Sequence, residues 1–427
     1  MSLKKENYRK RLIDDKISRY LNIFGAISLE GPKWCGKTWT SLNHANSVTY
    51  MTERSSRDLA KVDPKYIFTN ERPQLIDEWQ LVPSIWDAVR NECDVDHNKG
   101  KFILTGSTTL TKEEDEEEVF HSGTGRIATM KMYPMSLYES GDSTGDVSIT
   151  EMLNDTVESK YIRKVDLNEL AKLIVRGGWP ENVDRDIKDI DIVPKSYIDS
   201  IINKDINERK DKKRDSNKMR MLIRSLARNE SSIAGNDTIV KDIEEYETKE
   251  DLLESRITVA DYISVLDSLY ITANQEAFSI NYRSSKRIGK SPKRHLIDPS
   301  LACASLDLSI DKLMNDFNTF GFMFESLVSR DLRIYMDYLD GHLYHFRDNV
   351  SGDEVDAILE FRDGSYAAVE IKLTDISVEE AKKSLTKFYN NVEKKPKFMC
   401  VIVGHYEAVI KDKETGIYII PITSLRP

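Results

Sequence analysis

Residues Ile23 to Glu30 (IFGAISLE) form a short apolar run that ends directly in Gly31-Pro32-Lys33-Trp34-Cys35-Gly36-Lys37-Thr38, the spacing G-x-x-x-x-G-K-[ST]. Few folds accept such a junction, because a buried strand has to turn sharply into the first turn of a helix. The glycines let backbone N–H groups approach and cradle phosphate oxygens, and the helix adds its positive dipole end. Lys37 brings a point charge to the β and γ phosphates, while the Thr38 hydroxyl helps to hold Mg²⁺. The whole loop, Gly31 to Thr38, is therefore the candidate nucleotide cradle.

The run Gln74-Leu75-Ile76-Asp77-Glu78 ends an apolar approach in two adjacent carboxylates, the pattern of a buried strand that carries a metal-binding acid. Asp77 is placed to bind Mg²⁺ or its waters, and Glu78 to orient and polarise a water for attack on the γ-phosphate. That second acid favours ATP hydrolysis over transfer to a small metabolite; standing alone, the pair would read as a solvated strand end. A third strand, Lys101 to Ser107, ends in Thr105, Gly106 and Ser107, whose hydroxyls can sense the γ-phosphate or the lytic water, and Ser107 joins the nucleotide-binding candidates. An acidic insertion, Lys112 to Val119, reads as a solvated loop. After it comes Gly125-Arg126, in which Arg126 is either an arginine finger that reaches the transferring phosphoryl or a fold-stabilising arginine.

At 427 residues the chain has room for about three domains. Its 62 Lys and Arg against 72 Asp and Glu give a net charge of −10, which argues against coating nucleic acid with the whole surface. Any such contact is local, and six basic residues between Arg283 and Arg294 (Arg283, Lys286, Arg287, Lys290, Lys293, Arg294) mark the place. They read as a DNA or RNA contact or as a solvated basic hairpin. Cys35, Cys93, Cys303 and Cys400 have no CxxC spacing, which fits neither zinc nor a disulfide framework and suits a reducing compartment. With no signal-peptide core and no apolar stretch of membrane-spanning length, the expectation is a soluble cytoplasmic protein with no membrane partner.

The succession GPKWCGKT, LIDEWQLVPSIWDAVR, FILTGS, GTGR, YPMSLYES and VRGGWPE resembles the AAA+-like predicted ATPases of prokaryotes, which carry a conjoined C-terminal domain of unknown function. The resemblance covers nearly the whole chain and implies ATP and Mg²⁺ at Lys37, Thr38, Asp77 and Glu78. The chain reads as a P-loop ATPase domain at 1–150, a helical lid or linker at 151–215, a winged-helix-like segment with a basic hairpin at 216–295 and an α/β domain at 296–427, whose nuclease-like character rests on the residues given below. Helical periodicity from Val165 to Val175 stops at Gly177-Gly178-Trp179-Pro180, and the charged stretch Asn203 to Arg220 is an exposed helix or a hinge. Three helical runs follow, Met221 to Ala227, Ile239 to Tyr246 and Val259 to Leu269, and Tyr270 leads into a hairpin.

Further on, an amphipathic run from Phe320 to Tyr335 carries Glu325. Asp363-Gly364 then marks a turn between two apolar runs, and a hairpin centred near 363 sets Asp356 opposite Glu370, with Lys372 on the same face. The set Glu325, Asp356, Glu370 and Lys372 resembles the PD-(D/E)xK nuclease superfamily, a restriction-endonuclease-like α/β fold. That resemblance implies Mg²⁺ held by Glu325, Asp356 and Glu370, with Glu370 and Lys372 as catalytic residues. The alternative is an ion pair of Lys372 with Asp356 or Glu370 on a sheet face. Two functions are carried forward: an ATPase whose nucleotide state controls a nucleic-acid-binding or nuclease-like module, and a non-cleaving ATP-dependent switch for a protein partner. Oligomerisation is open in both.

Overall fold

The computed structural model describes residues 3–95, 98–107, 122–204, 214–244, 256–279, 291–348 and 352–427. Two compact units contain them. The first gathers the chain up to Pro134 together with Val265–Ile271, and the second holds the remaining described residues from Met135 on.

The first unit is built on a five-stranded sheet of β1 (Ala26–Glu30), β2 (Ser47–Tyr50), β3 (Gln74–Asp77), β4 (Phe102–Gly106) and β5 (Ile127–Lys131). Every neighbouring pair is parallel and the order is β2-β3-β4-β1-β5. Strands β1, β3 and β4 are buried along nearly their whole length because both their faces are covered. On one face Ala26, Ile76, Phe102 and Leu104 pack against Ile85, Val89 and Cys93 of the helix Ile85–Val95. On the other, Ile27, Leu29, Leu75 and Ile103 meet Ile17 of the helix Ile13–Leu21 and Leu42 of the helix Lys37–His44. Since all strands run one way with β4 between β1 and β3, the ends carrying Gly31 and Asp77 emerge at the same sheet edge.

The second unit contains β6 (Val147–Ser148), β7 (Lys160–Tyr161), β8 (His342–Arg347), β9 (Glu354–Glu360), β10 (Tyr366–Thr374), β11 (Met399–His405), β12 (Ala408–Lys411), β13 (Tyr418–Pro421) and β14 (Leu425–Arg426). Seven of these form a mixed sheet in the order β7-β12-β13-β11-β10-β9-β8, in which β10, β11 and β13 are parallel neighbours. The helix Val378–Asn391 covers one face through Val378, Ala381, Leu385 and Phe388. The helix Phe317–Tyr338 packs on the sheet as well, with Phe324 against Gly404.

The first unit closes at Pro134, before the boundary expected near 150. The reason lies in residues 137–148: the Leu137 N–H donates to the Asp331 carboxylate at 2.9 Å, the Thr144 N–H to the Thr423 carbonyl at 2.8 Å, and β6 pairs with β14. The glycine break in VRGGWPE also has a cause. A Cβ on Gly178 would lie 2.1 Å from the Met135 carbonyl oxygen, and its N–H donates to Asp298 at 2.9 Å. The expected three-helix succession is present as Ser216–Arg228, Asn236–Glu244 and Arg256–Ser268, followed by antiparallel bridges Thr272 to Leu296 and Gln275 to Lys293. Of these residues Val265–Ile271 group with the first unit. Among the described residues no helix is long and apolar enough to cross a membrane.

Candidate functional site

Gly31 leaves β1 with φ +155°, and a Cβ there would lie 2.2 Å from the Met132 carbonyl oxygen, so only glycine fits this turn. Gly36, at φ 102°, starts the helix Lys37–His44. Between them Pro32 and Cys35 are buried, Lys33 is half-buried and Trp34 is exposed. The buried Lys37 ammonium donates to the carbonyls of Gly31 at 2.9 Å and Pro32 at 2.8 Å, which lays it along the loop.

Across the same edge, the hydroxyls of Thr38 and Thr105 donate to one oxygen of Asp77, at 2.8 and 2.6 Å. The Thr105 hydroxyl also accepts the Glu78 N–H at 3.2 Å. Glu78 has left-handed backbone angles (φ 58°, ψ 47°), and its carboxylate accepts from Ser107 at 3.1 Å and from the Gln80 amide. The structure thus brings together Lys37, Thr38, Asp77, Glu78 and Ser107. A hydroxyl beside a carboxylate, at the mouth of a loop that a Cβ would close, is a donor set that fits Mg²⁺ with a nucleotide phosphate.

Arg126 is not part of this gathering. It precedes β5, whose Ile127 pairs with Ala26 at the far end of β1, while Lys131 pairs with Glu30 beside the loop. About five strand rises of ~3.3 Å therefore separate it from the cradle. Its Nε donates to Asp94 at 2.9 Å, so within its own chain it is a surface ion pair.

Sequence reasoning missed the brace behind the loop. Arg11 is buried and donates to the carbonyls of Cys35 and Tyr133, both at 2.8 Å. Asp14 accepts from the Arg11 N–H at 2.7 Å and the Tyr8 hydroxyl at 2.8 Å, and pairs with His44 at 2.6 Å. Burial alone would raise the Asp14 pKa, but the bonds from His44 and the Arg11 backbone outweigh it and hold the carboxyl below its usual range. Nothing in the polar N-terminal string marks Arg11 as different from its basic neighbours.

In the second unit, Glu325, Asp356, Glu370 and Lys372 converge as expected. Ladder pairing between β9 and β10 ends at Ala357 and Val369, and the Ile371 N–H turns instead to the Asp356 carboxylate at 2.9 Å. Lys372 Nζ donates to Glu370 at 2.8 Å and Asp356 at 3.4 Å, and Ser384 donates to Glu370 at 3.1 Å. A further cation stands in the cluster: Lys293 Nζ lies 2.6 Å from Glu325 and 3.6 Å from Asp356. Burial pushes the Glu370 carboxyl up to about 8 and that of Glu325 up to about 7, with Asp356 adding to both shifts. Asp356 itself, between both lysines, is held below its usual range against the effect of burial.

Lys293 was expected on a polyanion-binding surface, and this is corrected. Its side chain is 2% exposed, because it reaches inward to the carboxylates. Arg294 is buried too, donating to the Ala234 carbonyl and to Asn236, each at 2.8 Å. Arg283, Lys286, Arg287 and Lys290 lie outside the described residues, as does the acidic insertion. The expected metal set does not fit either. Among the described residues no group of three or more His, Cys, Asp or Glu is placed to hold a metal ion, and two ammoniums stand among these three acids.

Three family models each match part of the chain. Residues 24–141 match an AAA domain, and residues 167–312 and 320–425 match two domains of unknown function, DUF8612 and DUF4143. No curated protein matches. Solved structures with some likeness include a Walker-type ATPase of Pyrococcus abyssi (14% identity, TM-score 0.44, covering 71% of this chain and 98% of that one). The ORC2 protein of Aeropyrum pernix follows at 12% identity and TM-score 0.33, covering 73% and 97%. DnaA of Aquifex aeolicus has 12% identity and TM-score 0.28, covering 60% and 86%. Residues 24–141, with their parallel sheet and glycine-bounded phosphate loop, form a P-loop ATPase domain of the AAA kind.

Proposed function

We propose that the chain is a Mg²⁺-dependent ATPase whose nucleotide state controls its C-terminal unit. The observation that carries this is the hydrogen-bonded line Thr38–Asp77–Thr105–Glu78–Ser107 at the edge where the phosphate loop opens. Lys37 leaves the carbonyls of Gly31 and Pro32 and pairs with the β and γ phosphates. Thr38 and Asp77 would hold Mg²⁺, which would supply positive charge to offset that of the phosphoryl group. Glu78, turned by its backbone and steadied by Ser107 and Gln80, orients the attacking water and takes its proton. Arg126 acts as a finger only on the site of another subunit.

Control of the second unit is supported by Tyr270. Its hydroxyl donates to Glu30, which immediately precedes Gly31, and the Lys131 ammonium lies 5.5 Å from its ring centre. Two residues later Thr272 makes the first of two antiparallel bridges, the second of which joins Gln275 to Lys293. A movement of the loop on binding nucleotide therefore has a covalent route onward. The non-cleaving switch is favoured among the two functions by one feature, the pair of ammoniums among the C-terminal carboxylates. Arg283, Lys286, Arg287 and Lys290 are the proposed nucleic-acid contacts.

Nucleotide binding and turnover test the first unit. Lys37→Ala should abolish Mg-ATP binding, and Glu78→Gln should retain ATP without hydrolysing it. Normal turnover in Glu78→Gln would break the assignment.

A further inference from the structure

A divalent cation among Glu325, Asp356 and Glu370 would need carboxylate oxygens at ~2.0–2.6 Å and space for its own shell. Lys293 takes that space. Its side chain is 2% exposed, and its ammonium lies 2.6 Å from Glu325 and 3.6 Å from Asp356. The main chain that bears it is held in place: Lys293 and Gln275 exchange N–H to carbonyl bonds in both directions, each at 2.9 Å. The Gln275 amide in turn donates to the carbonyls of Asp356 at 3.1 Å and Tyr344 at 2.6 Å. The segment that bears the ammonium and the strand that bears the acid are thus tied to one residue, the first to its backbone and the second to its side chain. On the other side of Asp356, Lys372 sits 3.4 Å away and 2.8 Å from Glu370.

We propose that the Lys293 ammonium is the resident cation of this cluster, in place of a divalent metal, so that the unit neither binds Mg²⁺ there nor cleaves phosphodiesters, and that removing this one amine creates a divalent-cation site. A cleaving site of this kind requires only the lysine that Lys372 supplies; a second buried ammonium adds repulsion against any incoming cation at close range, where screening by water is weak. The inference concerns the second unit and stands whether or not the first hydrolyses ATP.

Uptake of Mn²⁺ by the full chain without nucleotide, followed by the paramagnetic resonance of free Mn²⁺, tests it. The wild type and Asp356→Asn should give the same titration. Lys293→Met, which keeps the volume of the stem, should take up one more Mn²⁺ per chain than the wild type, and Lys293→Met/Asp356→Asn should lose it. Should Lys293→Met fail to fold, Lys293→Met/Glu325→Gln removes the unpaired charge and must show the same additional ion through Asp356 and Glu370. The proposal is overturned by a wild-type Mn²⁺ site that Asp356→Asn abolishes, by a folded variant with no additional ion, or by plasmid cleavage in Mg²⁺ or Mn²⁺ that Lys372→Ala removes.

Discussion

Replacing Thr105 by Val keeps the outline of the side chain and removes the hydroxyl that joins Asp77 to Glu78. That hydroxyl is wholly buried, donates to Asp77 at 2.6 Å and accepts the Glu78 N–H at 3.2 Å. A hydrogen bond to a charged acceptor is worth ~1.5–3 kcal/mol, and a buried N–H left without its acceptor costs ~1–3 kcal/mol. The added methyl recovers ~1 kcal/mol by burial. The net loss is on the order of 1.5–5 kcal/mol, which at ~2–4 °C per kcal/mol lowers the unfolding temperature of the first unit by roughly 3–20 °C. Tryptophan emission is a suitable reporter, since Trp34, Trp39, Trp79 and Trp86 all lie in that unit. ATP turnover should fall more than tenfold at 25 °C, where a misplaced Asp77 and Glu78 need forfeit only ~1.4 kcal/mol of transition-state stabilisation. Thr105→Ser, which keeps the hydroxyl, should recover most of both. A Thr105→Val protein with unchanged turnover and an unfolding temperature within ~1 °C of the wild type would refute the role given to this bridge.

Arg126→Ala should shift stability by no more than ~1 kcal/mol, because it breaks an exposed pair with Asp94 and a long exposed bond to the Thr124 carbonyl. If Arg126 serves the site of another subunit, turnover per chain in the wild type should rise with protein concentration while that of Arg126→Ala stays flat; loss of ATP affinity in the variant would count against a finger. Burial pushes Glu230 up to about 8 from an ordinary value of 4.5. The folded chain therefore holds a proton that the unfolded chain has released, and stability should decline between about pH 4.5 and 8, at up to ~1.4 kcal/mol per pH unit. Denaturant unfolding at several pH values should find a shallower decline in Glu230→Gln, and equal slopes would place the titration elsewhere.

Much of the first unit was legible because its chemistry is local. A strand, a glycine-bounded loop and a helix start lie within sixteen residues, Ile23 to Thr38, and the acids Asp77 and Glu78 end a run whose apolar pattern needs no partner to be recognised. The C-terminal hairpin was legible for a similar reason: a turn at Asp363-Gly364 fixes the register, and Tyr366 does pair with Glu360 and Val369 with Ala357. Contacts between distant segments were not legible. Arg11 looks like any residue in a basic N-terminal string until it is found on the Cys35 and Tyr133 carbonyls, and Arg126 carries no mark of the sheet edge on which its strand begins. Lys293 was assigned to a charged surface by composition, yet charge density along a sequence says nothing about which members turn inward.

The inward turn of Lys293 belongs to a polar chain whose protonation the neighbours dictate. Both N–H groups of the Gln275 amide are given to the carbonyls of Tyr344 and Asp356, so its oxygen faces His295 Nε2 at 3.2 Å as an acceptor. Nε2 must then carry a proton. Burial holds the His295 pKa well below its usual value, so the ring is neutral and Nδ1 accepts. Its partner at 2.9 Å is Glu230, which must donate and is therefore protonated, in agreement with its raised pKa. The Leu296 N–H at 3.0 Å and the Ser326 hydroxyl at 2.8 Å satisfy the rest of that carboxyl. Each group in this line has one arrangement in which every buried donor meets an acceptor, and that arrangement fixes Gln275, whose backbone holds Lys293. The bridged segments that carry the ammonium are thus positioned by neutral hydrogen bonds, whereas the carboxylate cluster it enters is held by charge. The ammonium is delivered to Glu325 and Asp356 by a scaffold that uses the Asp356 backbone carbonyl but neither of the two carboxylates.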